Sequence, residues 1–285
     1  VRSRGLGDVY KRQDPDGAFQ ALLEQAPGEP GDRFEDPDGV IHDVDRLPDV
    51  DFAEQLATCL ADRPMLIADG HHRFESSSAC HRALSGRSDV PGEIALEAGR
   101  VLVEVVSSAS PGLTVLPTHR LVAGVSGFDP EALVRALAGS VSLLPVGATG
   151  GPASALAAQR AVAGPGTLGV MTGTPPRAWL ARRTDLPTAD VEAQLDVVFL
   201  HRVLLRDHLG IGDDAVEHGS QVTFVMDVSA AGEAVADGRA QVAFLVNATP
   251  MSDLDAVTAA GKRMPQKSTY FYPKVPAGLV LHTFD

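Results

Sequence analysis

The chain has 285 residues, of which 44% are hydrophobic and 21% are charged, as expected for a folded protein with a substantial core. Its net charge of −13, without any clustered basic segment, argues against nucleic acid as a partner. No apolar run reaches the roughly eighteen residues that a membrane-spanning helix needs, so we expect no membrane partner. The only two cysteines, Cys59 and Cys80, are typical of reduced thiols in a cytoplasmic protein.

The first thirteen residues, Val1–Gln13, show no hydrophobic periodicity and resemble translated adapter or assembly-junction sequence. We therefore predict that 1–13 is an artefactual leader, which we leave out of the predicted fold, and that the natural amino-terminal segment is missing. Turn signals follow at Asp14–Gly17 and Asp36–Gly39, where proline presets one dihedral angle and glycine permits the next.

Helical and strand patterns alternate along the rest of the chain. The predicted helices cover residues 18–25, 51–62, 72–84, 129–137, 153–163, 190–208, 229–237 and 252–260. The predicted strands cover residues 40–47, 65–68, 101–106, 113–116, 141–146, 167–171, 178–182, 222–226 and 242–246. This order predicts a mixed α/β (α+β) fold with a soft boundary near Ala123–Asp129, which separates 14–125 from 126–285.

The stretch that carries the functional argument is Met65–Phe74, where a short apolar run ends abruptly in Asp-Gly-His-His-Arg. This order predicts a buried strand, a tight turn at Gly70 and a helix whose first turn holds the ionisable side chains. The first backbone N–H groups of a helix lack intrahelical acceptors, so they attract anions, above all phosphate. Arg73 adds a guanidinium that can grip phosphate oxygens, and His71 or His72 can donate to phosphate or exchange a proton.

Three functional roles are open for Asp69, which precedes this turn: it could hold Mg²⁺, orient a histidine or accept a proton from a substrate hydroxyl. In a purely structural interpretation, Asp69 instead caps the helix, and the histidines and Arg73 are solvated. A metal site is a further alternative, because His71 and Glu75 are i,i+4 neighbours on a helix. No second pair of metal-ligating residues stands at matching spacing, which weakens that alternative.

A second stretch, near the carboxyl end, is rich in hydrogen-bond donors. Lys267, Ser268 and Thr269 form a turn directly before three aromatic residues, and this turn could embrace an anionic ligand. It is not a phosphate-binding P-loop, since the glycine spacing of that motif is absent. The structural alternative is an aromatic clasp that closes the core.

A third stretch, Pro117–Arg120, follows a predicted strand. We expect it to place His119 and Arg120 at an edge or mouth of the sheet, where both could face a ligand. A histidine that is satisfied at the end of a sheet, with no ligand, is the alternative.

Three motifs together resemble the bacterial and archaeal family catalogued as domain of unknown function 1015. They are Met65–Phe74 (MLIADGHHRF), Leu116–Leu121 (LPTHRL) and Met264–Leu281 (MPQKSTYFYPKVPAGLVL). The resemblance covers nearly everything after Gln13. It implies a distant relation to the ParB/sulfiredoxin superfamily, in which an equivalent Gly-X-X-Arg turn binds nucleotide phosphates and one branch phosphorylates free serine. Sulfiredoxin chemistry needs a cysteine in this turn, where the present chain has histidines.

The resemblance and the residues together predict a nucleotide-dependent phosphotransferase that acts on a small-molecule substrate with a hydroxyl group, for which free serine is a candidate. ATP or ADP and Mg²⁺ are the expected cofactors. The predicted catalytic residues are Asp69, His71 and His72, with Asp69 also as the metal ligand. The predicted cofactor-binding residues are Gly70, Arg73, His119, Arg120, Lys267, Ser268 and Thr269. A nucleotide-binding regulator and a metal-dependent hydrolase built on Asp69, His71 and Glu75 are the alternatives.

Overall fold

The computed structural model describes residues 8–12, 14, 16–37, 39–61, 65–107, 110, 112–146, 166–185, 187, 190–265, 267–274, 276 and 279–280. The chain forms two compact units. Unit 1 combines Val1–Thr114 with Phe271–Asp285, and unit 2 is the continuous segment Val115–Tyr270. The division therefore differs from the predicted boundary near Ala123–Asp129. The helix predicted at 153–163 lies outside the described residues.

In its described residues, unit 1 contains a three-stranded sheet, a hairpin and four helices. The helices are α1 (Ala18–Leu23), α2 (Val50–Ala61), α3 (His71–Leu84) and α4 (Gly92–Glu97). The strands are β1 (Asp8–Arg12), β2 (Glu29–Glu35), β3 (Ile41–Arg46), β4 (Met65–Asp69) and β5 (Val103–Ser107). The sheet order is β4–β1–β5, with β1 antiparallel to β4 and parallel to β5, while β2 and β3 form the hairpin.

The strand β1 falls within the leader that was left out of the predicted fold. Residues Asp8–Arg12 form the middle strand of this sheet. The artefactual origin of the leader stays a prediction.

The helices of unit 1 are shallowly packed. None of the described residues of α2, α3 or α4 is fully buried, and Phe74 of α3 is 38% exposed. A polar contact replaces part of the missing apolar packing: the buried carboxylate of Asp14 accepts hydrogen bonds from the backbone of Phe19 and Gln20 and from Ser107 Oγ. These bonds attach α1 to the end of β5.

Unit 2 is built around a six-stranded sheet. Its strands are β7 (His119–Val122), β8 (Val141–Val146), β9 (Thr167–Thr172), β10 (Arg177–Arg183), β11 (Val222–Val225) and β12 (Val242–Leu245). Every pair in the order β11–β7–β12–β9–β10–β8 is antiparallel. The short strands β6 (Thr114–Leu116) and β13 (Tyr270–Tyr272), where the chain passes between the units, form a separate two-stranded sheet.

Helices cover both faces of the unit 2 sheet, which explains why its strands are nearly continuous apolar runs. The described helices are α5 (Pro130–Leu137), α6 (Val191–Gln194), α7 (Asp196–Phe199), the π-helix (Leu200–Asp207), α8 (Asp213–Glu217), α9 (Val228–Ala236) and α10 (Met251–Ala259). On β7, Leu121 packs in a cluster with α9, and its neighbour Val122 packs in a cluster with α5 and the π-helix. The mixed α/β fold class is thus confirmed.

The single long helix predicted at 190–208 is divided in the structure. Leu195 adopts an extended conformation (φ −61°, ψ 132°) between α6 and α7, and the helix then widens into the π-helix. Leu200, Leu204 and Leu205 of the π-helix are fully buried. The apolar pattern located this segment correctly, but it does not distinguish a π-helix from an α-helix.

A buried carboxylate in unit 2 leads to a prediction of pH-dependent stability. Asp196, the first residue of α7, accepts a hydrogen bond from the backbone N–H of Gly166 at 2.6 Å. Burial raises its pKa to about 6, although this hydrogen bond and the charge of Arg183 act in the opposite direction. Between about pH 4 and pH 6 the folded state therefore binds more protons than the unfolded state, and the stability falls as the pH rises.

Asp196→Asn removes this titration and retains an acceptor for Gly166. We expect the free energy of unfolding of the variant, relative to wild type, to increase by up to about 3 kcal/mol between pH 4 and pH 7. Urea unfolding followed by the fluorescence of Trp179, the only tryptophan, measures the difference. Asp237→Asn, at an exposed ion pair with Arg239, is the control. If the free energies of unfolding of wild type and Asp196→Asn changed in parallel with pH, the raised pKa of Asp196 would be contradicted.

Candidate functional site

The predicted turn between strand and helix is present in unit 1. β4 ends at Asp69, and Gly70 adopts a left-handed conformation (φ 84°, ψ 17°) that glycine tolerates without strain. The 14-residue helix α3 begins at His71, and Gly70 supplies no side-chain cap for it. The first turn of α3 therefore presents its backbone N–H groups at the positive end of the helix dipole, with no side-chain cap from Gly70.

Asp69 is held in place from both sides of its carboxylate. Oδ1 accepts a hydrogen bond from the backbone N–H of Gly70 at 2.8 Å, and Lys274 Nζ donates to Oδ2. Partial burial alone would raise the pKa of Asp69, but Lys274, the Gly70 N–H and the charge of Arg73 together lower it. Asp69 is consequently ionised and a weak proton acceptor, which suits a cation or an orienting role better than that of a general base.

Glu104 on β5 is a second carboxylate at this site. Asp69 and Glu104 are both in register with Val9 of β1, on its two sides. Lys274 donates to Asp69 and its charge also acts on Glu104, so both carboxylates lie near this lysine. Burial raises the pKa of Glu104, and the charge of Lys274 only partly offsets this rise. Two carboxylates with pKa values displaced in opposite directions around one lysine are a typical arrangement of acid–base sites.

Sequence reasoning missed both Glu104 and Lys274. Glu104 had a usable signal, since it is the one acidic residue within the valine-rich run 101–106. Lys274 lies within the motif Met264–Leu281, 205 positions from its partner Asp69. No local pattern links residues at such a separation.

The remaining predicted residues of the turn lie on the first turn of α3. The exposed rings of His71 and His72 are 4.1 Å apart between centroids, and His72 Nδ1 is 3.8 Å from a carboxylate oxygen of Glu75. Arg73 is partly buried, and its charge acts on the carboxylate of Asp69. The structure thus brings Asp69, Gly70 and Arg73 together, with the histidines beside them.

His119 and Arg120 do not lie at a sheet edge or mouth, and this expectation is wrong. They begin β7, a strand with neighbours on both sides, and each is 0% exposed. His119 Nδ1 accepts a hydrogen bond from the backbone N–H of Val246 at 3.2 Å. Burial and the neighbouring Arg120 lower the pKa of His119 to about 4, so its ring is neutral. A ligand in solvent cannot reach either side chain.

Arg120 instead connects two of the sequence motifs within unit 2. Its guanidinium donates to the backbone carbonyls of Thr118 and Lys267, the latter at 2.8 Å, and lies over the ring of Phe224. Burial lowers its pKa to about 10, which leaves it charged at neutral pH. No carboxylate in the described part of the chain pairs with it, so backbone carbonyls and an aromatic ring stabilise a buried cation.

The predicted anion-binding turn at Lys267–Thr269 is largely occupied by its own contacts. Ser268 is buried: its hydroxyl donates to the carbonyl of Pro265 at 2.6 Å, and its carbonyl accepts from Thr249 Oγ1 at 2.7 Å. Lys267 has a left-handed backbone (φ 55°) and an exposed side chain. Lys267 and Ser268 belong to unit 2, whereas Asp69 and Arg73 belong to unit 1.

Within the described ranges, no three histidine, cysteine or acidic side chains form a group that could hold a metal ion. The hydrolase alternative requires Asp69, His71 and Glu75 to converge, so this finding counts against it. No helix in the part of the chain that the structure describes is long and apolar enough to cross a membrane.

The fold and this site define a mixed α/β protein whose charged turn opens a helix. The chain belongs to the family described as "Protein of unknown function (DUF1015)", whose model matches residues 9–198. The resemblance inferred from the three motifs is thereby confirmed at the level of the family. The relation to the ParB/sulfiredoxin superfamily stays a prediction. No curated protein sequence matches the chain.

Several solved structures share a similar arrangement at low identity. Free serine kinase in complex with AMP is 14% identical, with 93% of this chain and 83% of that chain covered and a TM-score of 0.42. A variant of free serine kinase in complex with ADP gives a TM-score of 0.40 at 14% identity, with 93% and 84% covered. A conserved hypothetical protein from Pyrococcus furiosus gives a TM-score of 0.43 at 11% identity, with 97% and 96% covered. Similarity at this level says nothing about the substrate of the present chain.

Proposed function

We propose that this protein is a nucleotide-dependent phosphotransferase that acts on a small hydroxyl compound. The observation that carries the proposal is the start of α3, where Gly70 gives no side-chain cap and the first backbone N–H groups lie beside Arg73. A helix of 14 residues has a full dipole, and its amino end favours phosphate oxygens. Gly70 has no side chain to keep a phosphate away from this backbone.

The charged groups around the turn suit phosphoryl transfer, which depends mainly on positioning and charge neutralisation. Arg73 and the amides of α3 would hold the terminal phosphates, and Lys274 would balance negative charge near Asp69. Mg²⁺ is usually held by one or two carboxylates together with substrate phosphates, so Asp69 fits as its protein ligand and no cage of three side chains is required. The metal would neutralise phosphate charge.

Glu104 takes the role of proton acceptor in this proposal. The acceptor hydroxyl gives its proton to Glu104 while its oxygen bonds to the terminal phosphorus. The bond from that phosphorus to the bridging oxygen of the nucleotide breaks, which leaves a nucleotide with one phosphate fewer. Asp69 is less suitable for this step because its lowered pKa makes it the weaker base.

The function is tested by incubation of the whole chain with Mg²⁺, ATP or ADP, and a panel of small alcohols that begins with free serine, the acceptor suggested by the superfamily resemblance. The expected product is the phosphorylated acceptor, detected by mass spectrometry. Nucleotide binding without transfer to any acceptor would favour the regulator instead. If neither nucleotide binds, both alternatives are wrong.

Arg73→Ala is expected to weaken nucleotide binding about 10- to 100-fold, because one charge-assisted contact to phosphate is worth roughly 1.5–3 kcal/mol. Calorimetric titration of ATP and ADP measures the change. Arg82→Ala provides a matched control on the same helix, since Arg82 is exposed near the carboxyl end of α3 and donates to Ser78 Oγ. Equal affinities of Arg73→Ala and wild type would exclude α3 as the phosphate site.

A further inference from the structure

Unit 2 contains a cavity of about 280 Å³ beside the π-helix. Val198 and Val216, both buried, form part of its apolar wall. A cavity of this size accommodates a small metabolite. All of its lining residues lie within Val115–Tyr270, so it is separate in sequence from the turn at Asp69.

Charges of both signs line this cavity. Arg202 and Arg263 supply the positive charges, and Glu192 and Asp213 supply the negative charges. Glu192 is engaged, since one of its carboxylate oxygens is 3.2 Å from Arg202 Nη2 and the other is 3.6 Å from Lys262 Nζ. Asp213 is exposed, and its carboxylate makes no hydrogen bond or ion pair with the part of the chain that is described.

His201, on the π-helix, is a further polar residue that lines the cavity. Burial makes the largest contribution to its pKa, which it brings to about 4; the charge of Arg120 also lowers this pKa, and Asp213 acts in the opposite direction. The ring is therefore neutral, and the charges at the cavity are those of the two arginines and the two carboxylates that line it. A cavity with charges of both signs favours a dipolar ligand over a simple anion or cation.

The π-helix itself is a second sign of a binding function. π-helical turns are rare and occur frequently at functional sites. Here one places Leu200, Leu204 and Leu205 in the core and directs His201 and Arg202 to the cavity. His201 Nε2 is inaccessible to solvent and has no hydrogen-bond partner among the described residues. Such a group in a native protein requires an explanation, and it marks this wall of the cavity as unusual for a purely structural helix.

We infer that this cavity binds a small zwitterion, with its carboxylate directed to Arg202 and Arg263 and its ammonium group directed to Asp213. Both arginines are donor groups suited to a carboxylate, and Asp213 is the carboxylate with no ion pair of its own in the described chain. The inference does not depend on the proposed phosphoryl transfer, because no residue of the cavity takes part in that reaction.

The test is calorimetric titration of the whole chain with amino acids that separate the two charges by increasing distances. The probes are glycine, 3-aminopropanoate, 4-aminobutanoate and 5-aminopentanoate. Two singly charged analogues of each probe serve as controls: the alkyl carboxylate of the same chain length, which lacks the ammonium group, and the alkylamine, which lacks the carboxylate. We expect one of the zwitterions to bind at a single saturable site. Its affinity should be at least about tenfold higher than that of either control of the same length, because only the zwitterion pairs with both the arginines and Asp213.

Two variants locate the site. Asp213→Asn should weaken the zwitterion at least about tenfold and leave the weaker binding of the matched carboxylate unchanged, whereas Arg263→Gln should weaken both. Arg239→Gln, at an exposed ion pair elsewhere in unit 2, should leave all affinities as in wild type. Trp179 fluorescence verifies that each variant is folded. Absence of saturable binding at millimolar concentrations, or binding that is unaffected by Asp213→Asn and Arg263→Gln, would overturn the inference.

Discussion

Replacement of Glu104 by glutamine is expected to lower kcat for phosphoryl transfer by about 10²–10⁴-fold, the usual contribution of a general base. Burial raises the pKa of Glu104 above the ordinary glutamate value, so its carboxylate is a stronger proton acceptor than an exposed one. Glutamine has the same shape but cannot accept the proton. Nucleotide affinity should stay unchanged, because Arg73 and the amides of α3 make the phosphate contacts.

The pH profile distinguishes this role from a structural one. Glu104 must be ionised to accept a proton, so wild-type kcat should rise with pH through a pKa above the ordinary glutamate value. The residual kcat of Glu104→Gln should not show this rise. Glu93→Gln is the matched control, since Glu93 is an exposed glutamate on α4 in the same unit. If Glu104→Gln retained wild-type kcat, the proton would have another acceptor.

Arg120→Ala is expected to lower the free energy of unfolding of unit 2 by about 3–5 kcal/mol. The substitution removes the donors for the carbonyls of Thr118 and Lys267 and leaves a large cavity beneath Phe224. The loss of a costly buried cation offsets part of this effect. Urea unfolding followed by Trp179 fluorescence measures the change.

A second substitution separates packing from hydrogen bonding at this position. Arg120→Met fills most of the volume without charge or donors, so it should destabilise unit 2 less than Arg120→Ala does. Arg239→Ala, at an exposed surface position, should change the free energy of unfolding by no more than about 0.5 kcal/mol. If Arg120→Ala behaved like Arg239→Ala, the Arg120 contacts would not stabilise the unit.

The elements that sequence reasoning located best have strong local causes. The strand predicted at Val141–Val146 has those bounds in the structure, because it is an apolar run that stops where glycine and proline begin. The helix predicted from Asp129 begins at Pro130, with proline in the first turn and the Asp129 side chain accepting from the backbone N–H of Glu131 at 2.9 Å. By contrast, β2 was missed because Glu29–Glu35 is almost entirely exposed and lacks an apolar alternation.

The candidate site was predictable only where its residues are consecutive. The order Asp-Gly-His-His-Arg predicted the tight turn at Gly70 and the start of α3 from local chemistry alone. The pairing of Asp69 with Lys274 and the burial of His119 and Arg120 depend on tertiary packing. A polar side chain in a sequence does not indicate whether the surrounding strands enclose it.

The insertion of unit 2 between the two segments of unit 1 has a consequence for synthesis. Domains generally fold as units while the chain is being made, with amino-terminal domains first. Here the order is reversed, because Val115–Tyr270 is complete before the ribosome reaches Phe271. Asp69 therefore meets Lys274 only after 205 further residues have been translated, and the charged turn is completed after the whole of unit 2 has been made.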